Sequence, residues 1–268
     1  MLHLSRSFLL LLTLALPALT CAADKPVYYY NRHFNALGEP WYHPDGNYSQ
    51  VLSNLNHHFS VRADLDPLSS GSLDSTRVLM LVNLSAAAAG TNPPPNHLSD
   101  SDIELITRFV EKGGALIFLS NQPQGHNLEM EKSNQLLEKF GIQMTNNVTD
   151  AKKLLIPKGV PIVGGLRWAY YTGNSLLLDP SHPAAPRPLV KNDLNQKPIA
   201  GTRDAEGVLA AIAEPGKGRV VIITDAGSIA DFAFLEQGVG GVAIKGQDNM
   251  EFFNRLVQWA ARIKFSEP

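Results

Sequence analysis

Cys21 is the only cysteine in the chain, and no histidine follows His182. A mature protein that begins after residue 21 would have no disulfide, no thiolate metal site and no cysteine nucleophile. Its C-terminal third would have no imidazole to act as a general base. Charge is sparse and balanced, with 23 Lys and Arg against 25 Asp and Glu and a net charge of -2. Without a basic run, neither nucleic acid nor an anionic membrane surface is an expected partner. After the first twenty residues no apolar stretch is long enough to cross a bilayer.

The chain opens with MLHLSRS, the apolar run FLLLLTLALPAL and the small-residue stretch TCAAD, the three regions of a secretory signal. Cleavage is expected after Ala22 or Ala23, giving an exported protein, periplasmic or secreted, with no transmembrane segment in the mature chain. A lipoprotein signal would place leucine three residues before Cys21, where this chain has Ala18, so lipid anchoring is not expected.

Residues 24–268 read as a single α/β domain. VYYY from Val27 is strand-like and runs into a loop broken by Gly38, Pro40, Pro44 and Gly46. In NYSQVLSNLNHHF, helical spacing brings Tyr48, Val51, Leu52, Leu55 and Phe59 together, with Asp45 or Asn47 available as a cap. SVRADL is a short strand, and TRVLMLVNL has the continuous apolar character of a strand buried on both faces. Ser99 caps a helix through SDIELITRFVEKGG, ended by Gly113, and the strand ALIFLS follows. EMEKSNQLLEKFG is a further amphipathic helix and IQMT a short strand. Between about residues 148 and 205 the alternation gives way to a Pro- and Gly-rich stretch, an irregular insertion whose pieces KLLIP, LRWAYY and SLLLD look like short edge strands or turns. EGVLAAIAEPGKGRVVIITDAG predicts an antiparallel hairpin turning at Pro215 to Gly218, and DNMEFFNRLVQWAARI a final amphipathic helix. Strand and helix alternating at short spacing predict a three-layer sandwich with a mainly parallel, flavodoxin-like sheet.

Ligands of such sheets bind at the carboxyl ends of the strands. The residues there are Asn31 and Arg32; Asn83 and Ser85; Ser120, Asn121 and Gln122; and Asp225, Ser228 and Asp231. His126, just past the turn that follows ALIFLS, is the histidine best placed to join them. From this rim the candidate ligand-binding set is Asn83, Ser120, Asn121, Gln122, His126, Asp225 and Ser228. Hydroxyls and amides of this kind suit a carbohydrate or another small polar ligand. Trp41, Tyr42, Trp168, Tyr170 and Tyr171 could offer ring faces to a sugar or close over the edges of the core. His33 and His43 flank a loop with Asp45, but their spacing matches no metal motif. No metal or cofactor is expected.

LSDSDIELITRFVEKGGALIFLSNQ, SNQLLEKFGIQMTNN, GKGRVVIITDAGSIADFAF and DNMEFFNRLVQWA resemble class I glutamine-amidotransferase-like domains of the non-catalytic branch. The module of intraflagellar-transport proteins and related bacterial exported domains are the nearest look-alikes, and the resemblance runs from Val27 to Ile263. It implies that a catalytic relative would carry cysteine where this chain has Ser120 and Asn121, and a histidine near the C-terminus where this chain has none. A serine there would still need a base, and the turn lacks the G-x-S-x-G pattern. Catalytic residues are therefore expected to be absent.

The expected function is an exported, non-catalytic binding module. The alternatives are an envelope or extracellular hydrolase working through carboxylates such as Glu129 and Asp225 or an unrecognised metal, and a protein-interaction scaffold.

Overall fold

The continuously apolar runs become the middle of one mixed sheet, since a strand buried on both faces has no polar face to present. The computed structural model describes residues 24–35, 42–86, 95–123, 128–234 and 247–265. Residues 1–23, where a signal is expected, Trp41 and His126 lie outside the described residues. In chain order the elements are β1 (Val27–Asn31), α1 (Ser49–Asn56), β2 (Ser60–Asp64), α2 (Ser70–Asp74), β3 (Thr76–Val82), α3 (Asp100–Glu111), β4 (Ala115–Leu119) and α4 (Glu131–Glu138). They continue with β5 (Ile142–Met144), β6 (Lys152–Leu155), β7 (Arg167–Tyr170), β8 (Leu176–Leu178), β9 (Arg187–Lys191), β10 (Val208–Ala213), β11 (Arg219–Ile223) and α5 (Asn249–Ala261).

The sheet runs β2-β1-β3-β4-β11-β10-β8-β5, with β9 also paired to β10. From β2 to β11 every pairing is parallel, and from β11 to β5 every pairing is antiparallel. The parallel part therefore has the flavodoxin-like order, with the predicted β10–β11 hairpin appended. On one face pack α1, through Val51, Leu52 and Leu55, and α5, through Phe252, Phe253, Leu256 and Val257. On the other pack α2, α3 and α4, through Leu73, Ile103, Ile106, Val110, Leu136 and Leu137. These are the three layers of the sandwich.

Local signals explain most boundaries. Ser99 and Asp102 form a capping box at the start of α3. Gly113 follows the helix at φ +123°, a conformation that suits glycine. The start of α1 differs from expectation: neither Asp45 nor Asn47 caps it, and the residue before it, Tyr48, makes no side-chain cap. Its free amides and hydroxyl are met from across the fold, where Asp231 accepts the Ser49 hydroxyl at 2.5 Å and the Gln50 N–H at 2.9 Å.

The expected irregular insertion is more regular than its composition suggests. It holds β6 to β9, of which β8 and β9 join the main sheet. Strands β6 and β7 form a separate hairpin, and its Leu154, Trp168 and Tyr170 enter the same apolar cluster as α1 and α5. Trp168 stacks on Phe252 with ring centroids 4.6 Å apart. Strands of three to five residues are too short to establish an alternating pattern, and tertiary packing decides their state.

Candidate functional site at the carboxyl ends of the parallel strands

The connections change face between β1 and β3: the α1 crossover carries the chain outward from β1 to β2, and α2 returns it past β1 to β3 on the opposite face. A crevice for ligands opens at such a switch point, beyond the carboxyl ends of the flanking strands. After β1 the chain makes a tight turn in which Asn35 N–H donates to the Arg32 carbonyl at 3.1 Å. After β3, Asn83 adopts a left-handed conformation at φ +40°, which a non-glycine residue holds only under constraint. The Asn35 amide ties the two exits together by donating to the Val82 carbonyl at 2.5 Å and the Asn83 carbonyl at 3.2 Å.

One strand further along, Ser120 and Asn121 leave β4. Ser120 is fully buried. Its N–H donates to the Ile223 carbonyl at 2.9 Å, its carbonyl accepts from Ala226 N–H at 2.8 Å, and its hydroxyl donates to Asn174 Oδ1 at 3.3 Å. Asn121 is buried too; its amide donates to the Tyr42 hydroxyl at 3.0 Å and its Oδ1 accepts Gln122 N–H at 2.8 Å. Gln122 is half-buried, and its side-chain Oε1 accepts from the Thr172 hydroxyl at 2.8 Å and from Arg203 at 3.1 Å.

At the end of β11, Asp225 is fully buried. Its Oδ2 accepts the Tyr171 N–H at 2.6 Å, while its Oδ1 meets no full hydrogen bond. Burial pushes its carboxyl up to about 7, against the opposing pull of the Tyr171, Gly227, Ser228 and Thr172 amides. The 3-10 turn Ala226–Ile229 folds back over this strand end. Within it Ser228 is fully buried, and its hydroxyl donates to the Asp225 carbonyl at 2.7 Å.

The topology thus brings Asn83, Ser120, Asn121, Gln122, Asp225 and Ser228 to one edge, but all except Gln122 lie under it. Covering comes from the 3-10 turn and from the chain that follows β7, features that strand-end reading does not anticipate. Glu129 is not paired with Asp225 by any bond: its carboxylate caps α4, accepting from Glu131, Lys132 and Ser133 N–H groups at 2.9–3.1 Å. Tyr42, Trp168 and Tyr170 are buried in the core, so of the two readings they close over the core and offer no ring face to a sugar; Tyr171 is half-buried against Phe232. His33 Nδ1 lies 2.9 Å from the Leu65 carbonyl, and His43 lies 3.5 Å from Asp45. Among the described residues no three His, Asp or Glu side chains converge as metal ligands, and no helix is long and apolar enough to cross a membrane.

Arg32 and Asn31 stand at a strand end without belonging to the candidate ligand set drawn from the sequence, and neither Asn35 nor Asn174 belongs to it. Arg32 is only 8% exposed, with its Nε sealed and without a hydrogen-bond partner. The one signal in the sequence was its position directly after an apolar strand.

No family model matches the chain and no curated protein sequence matches it. Solved structures do. The mmIFT52 N-terminal domain superposes with a TM-score of 0.61 at 11% identity, over 90% of this chain and 100% of that one. A putative ThuA-like protein from Parabacteroides merdae ATCC 43184 gives 0.55 at 13% identity, over 91% of this chain and 93% of that one. A β-galactosidase from Rahnella sp. R3 gives 0.52 at 12% identity; this chain aligns over 88% of its length but spans only 31% of that enzyme. At these identities the likeness concerns the fold, and the chain shares the fold of the IFT52 N-terminal domain and of ThuA-like proteins.

Proposed function

We propose that this chain is an exported, non-catalytic amidotransferase-like module that binds a carbohydrate or another small polar ligand at the carboxyl ends of its parallel strands. The observation that carries this reading is the state of Ser120. At the strand end where a catalytic relative would mount its nucleophile, its hydroxyl is fully buried and donates to an amide oxygen, not to a base. Likeness to the IFT52 and ThuA-like folds supports the same branch of the superfamily, and the leader supports export.

The test is a screen for hydrolysis of amide, ester and glycoside substrates with the mature chain, alongside Ser120→Ala and Asp225→Asn. The expected result is no turnover by any of them. Turnover that disappears in either variant would overturn the reading in favour of a hydrolase.

A second reading, a protein-interaction scaffold, is favoured by an apolar cavity of about 410 Å³ between β6 and β9, lined by Leu154, Leu155, Pro157 and Leu189. Leu155 is 63% exposed there. A partner retained from envelope extract by the wild type and lost in Leu155→Glu would support it.

A further inference from the structure

A guanidinium cannot shed its proton to escape burial, because its pKa stays above about 12. Buried cations are accordingly held by partners. Lys152 follows that rule: it is 1% exposed and holds Asp204 at 2.6 Å, Asn192 Oδ1 at 2.8 Å and the Asp193 carbonyl at 2.9 Å. Arg32 does not. Among the described residues nothing forms an ion pair with its guanidinium or accepts a hydrogen bond from it, although the residue is 8% exposed and its Nε is sealed from solvent. Asp64, whose backbone carbonyl accepts the Arg32 N–H at 2.8 Å, has its carboxylate engaged by the Tyr29 hydroxyl at 2.7 Å and by Arg62.

A second buried atom in the same turn is also without a partner. Asn35 is 4% exposed. Its Nδ2 donates to two carbonyls, which fixes the amide, and its Oδ1 is left sealed without a donor. The turn after β1 thus holds a cation lacking an anion and an acceptor lacking a donor. Both stand at the β1/β3 switch point, where sheets of this order bind their ligands, and Asn35 donates to the carbonyl of the left-handed Asn83.

We propose that the β1/β3 switch point binds an oxyanion, a sugar acid or a sugar phosphate. Arg32 takes the anionic group through the end of its guanidinium, whose planar fork is suited to it. This rests on the ligand-binding reading above and narrows it from polar ligands in general to anionic ones.

The test is a set of thermal melts of the mature chain with galacturonate, inorganic phosphate or neutral galactose, on wild type, Arg32→Met and Arg32→Lys. A ligand that binds only the native state raises the melting temperature by mass action. Galacturonate or phosphate is expected to raise it in a dose-dependent manner; a response to the first alone identifies a carboxylate and to the second alone a phosphate. Arg32→Met should weaken that response about 30-fold or more, and Arg32→Lys should keep part of it. Without a probe, Arg32→Met should melt at or above wild type, since it removes a guanidinium whose sealed Nε has no partner. Four results would overturn the proposal: no response to either anion, a response unchanged in Arg32→Met, an Arg32→Met protein that melts well below wild type on its own, or an equal response to galactose and galacturonate. An equal response to galactose and galacturonate would leave the binding module standing and remove the oxyanion.

Discussion

The backbone N–H of Tyr171 lies 2.6 Å from Oδ2 of Asp225, so the chain that follows β7 closes over the end of β11 by means of a buried carboxyl. Burial lifts that carboxyl from 3.8 to about 7. Between those values the folded protein keeps a proton that the unfolded chain has released. The stabilisation from this proton is complete below about pH 4, declines as pH rises and is gone above about pH 7. Its full range is on the order of 4 kcal/mol. Asp225→Asn removes the titration, so the variant should gain on wild type as pH rises from 4 to 8. Urea melts across that range check it, and parallel pH profiles for the two proteins would contradict it.

Lys152 is the opposite case, a buried ion with all its partners. Asp204 is half-buried, which alone would raise its carboxyl, but the Lys152 and Asn192 hydrogen bonds outweigh desolvation and hold it below the usual carboxylate range. Its contribution to stability is therefore present at neutral pH and is lost as pH falls through that lowered value. Lys152→Met leaves the carboxylate without its cation and should cost roughly 3–5 kcal/mol. The double variant Lys152→Met with Asp204→Leu should cost less than Lys152→Met alone, a comparison that denaturant melts at pH 7 make directly.

Gly173 has no room for a side chain. A Cβ there would run into the Thr224 carbonyl and come within 2.5 Å of the Tyr170 hydroxyl. Its N–H and carbonyl both pair with Thr149, at 3.2 and 3.0 Å, so the backbone cannot move aside freely. Gly173→Ala should destabilise by about 2 kcal/mol or more through overpacking, read as a lower urea midpoint. Gly159→Ala, where a Cβ meets nothing, serves as the near-neutral control.

The sequence made the parallel core readable because β3, β4 and β11 are apolar runs and the helix between β3 and β4 carries local signals of its own. Thr76–Val82, the Ser99 cap and the β10–β11 hairpin all lie where period and turn chemistry place them. The rim was readable only as a set of positions. Whether Ser120 or Asp225 meets solvent is decided by Asn174 and Tyr171, each 54 positions away from the residue it covers and reached only through the fold. Arg32 shows the same limit: its position after β1 was evident, whereas its lack of a counter-charge is a property of everything packed around it.

From sequence Trp168 can either meet a sugar or close the core, and its surroundings decide between them. It has no exposed surface and stacks on Phe252 with an interplanar angle of 12°. Its indole Nε1 is sealed there without a hydrogen-bond partner, an arrangement that costs free energy even while the ring fills space. Replacing it should separate the two effects. Trp168→Ala removes both and leaves a cavity between the β6–β7 hairpin and α5, for a loss of about 3–5 kcal/mol. Trp168→Phe keeps an aromatic ring against Phe252 and discards the unpaired N–H, so its loss should be about half that or less. Thermal and urea melts of the two variants give the comparison. A Phe variant as damaged as the Ala variant would mean that the indole N–H has an acceptor after all.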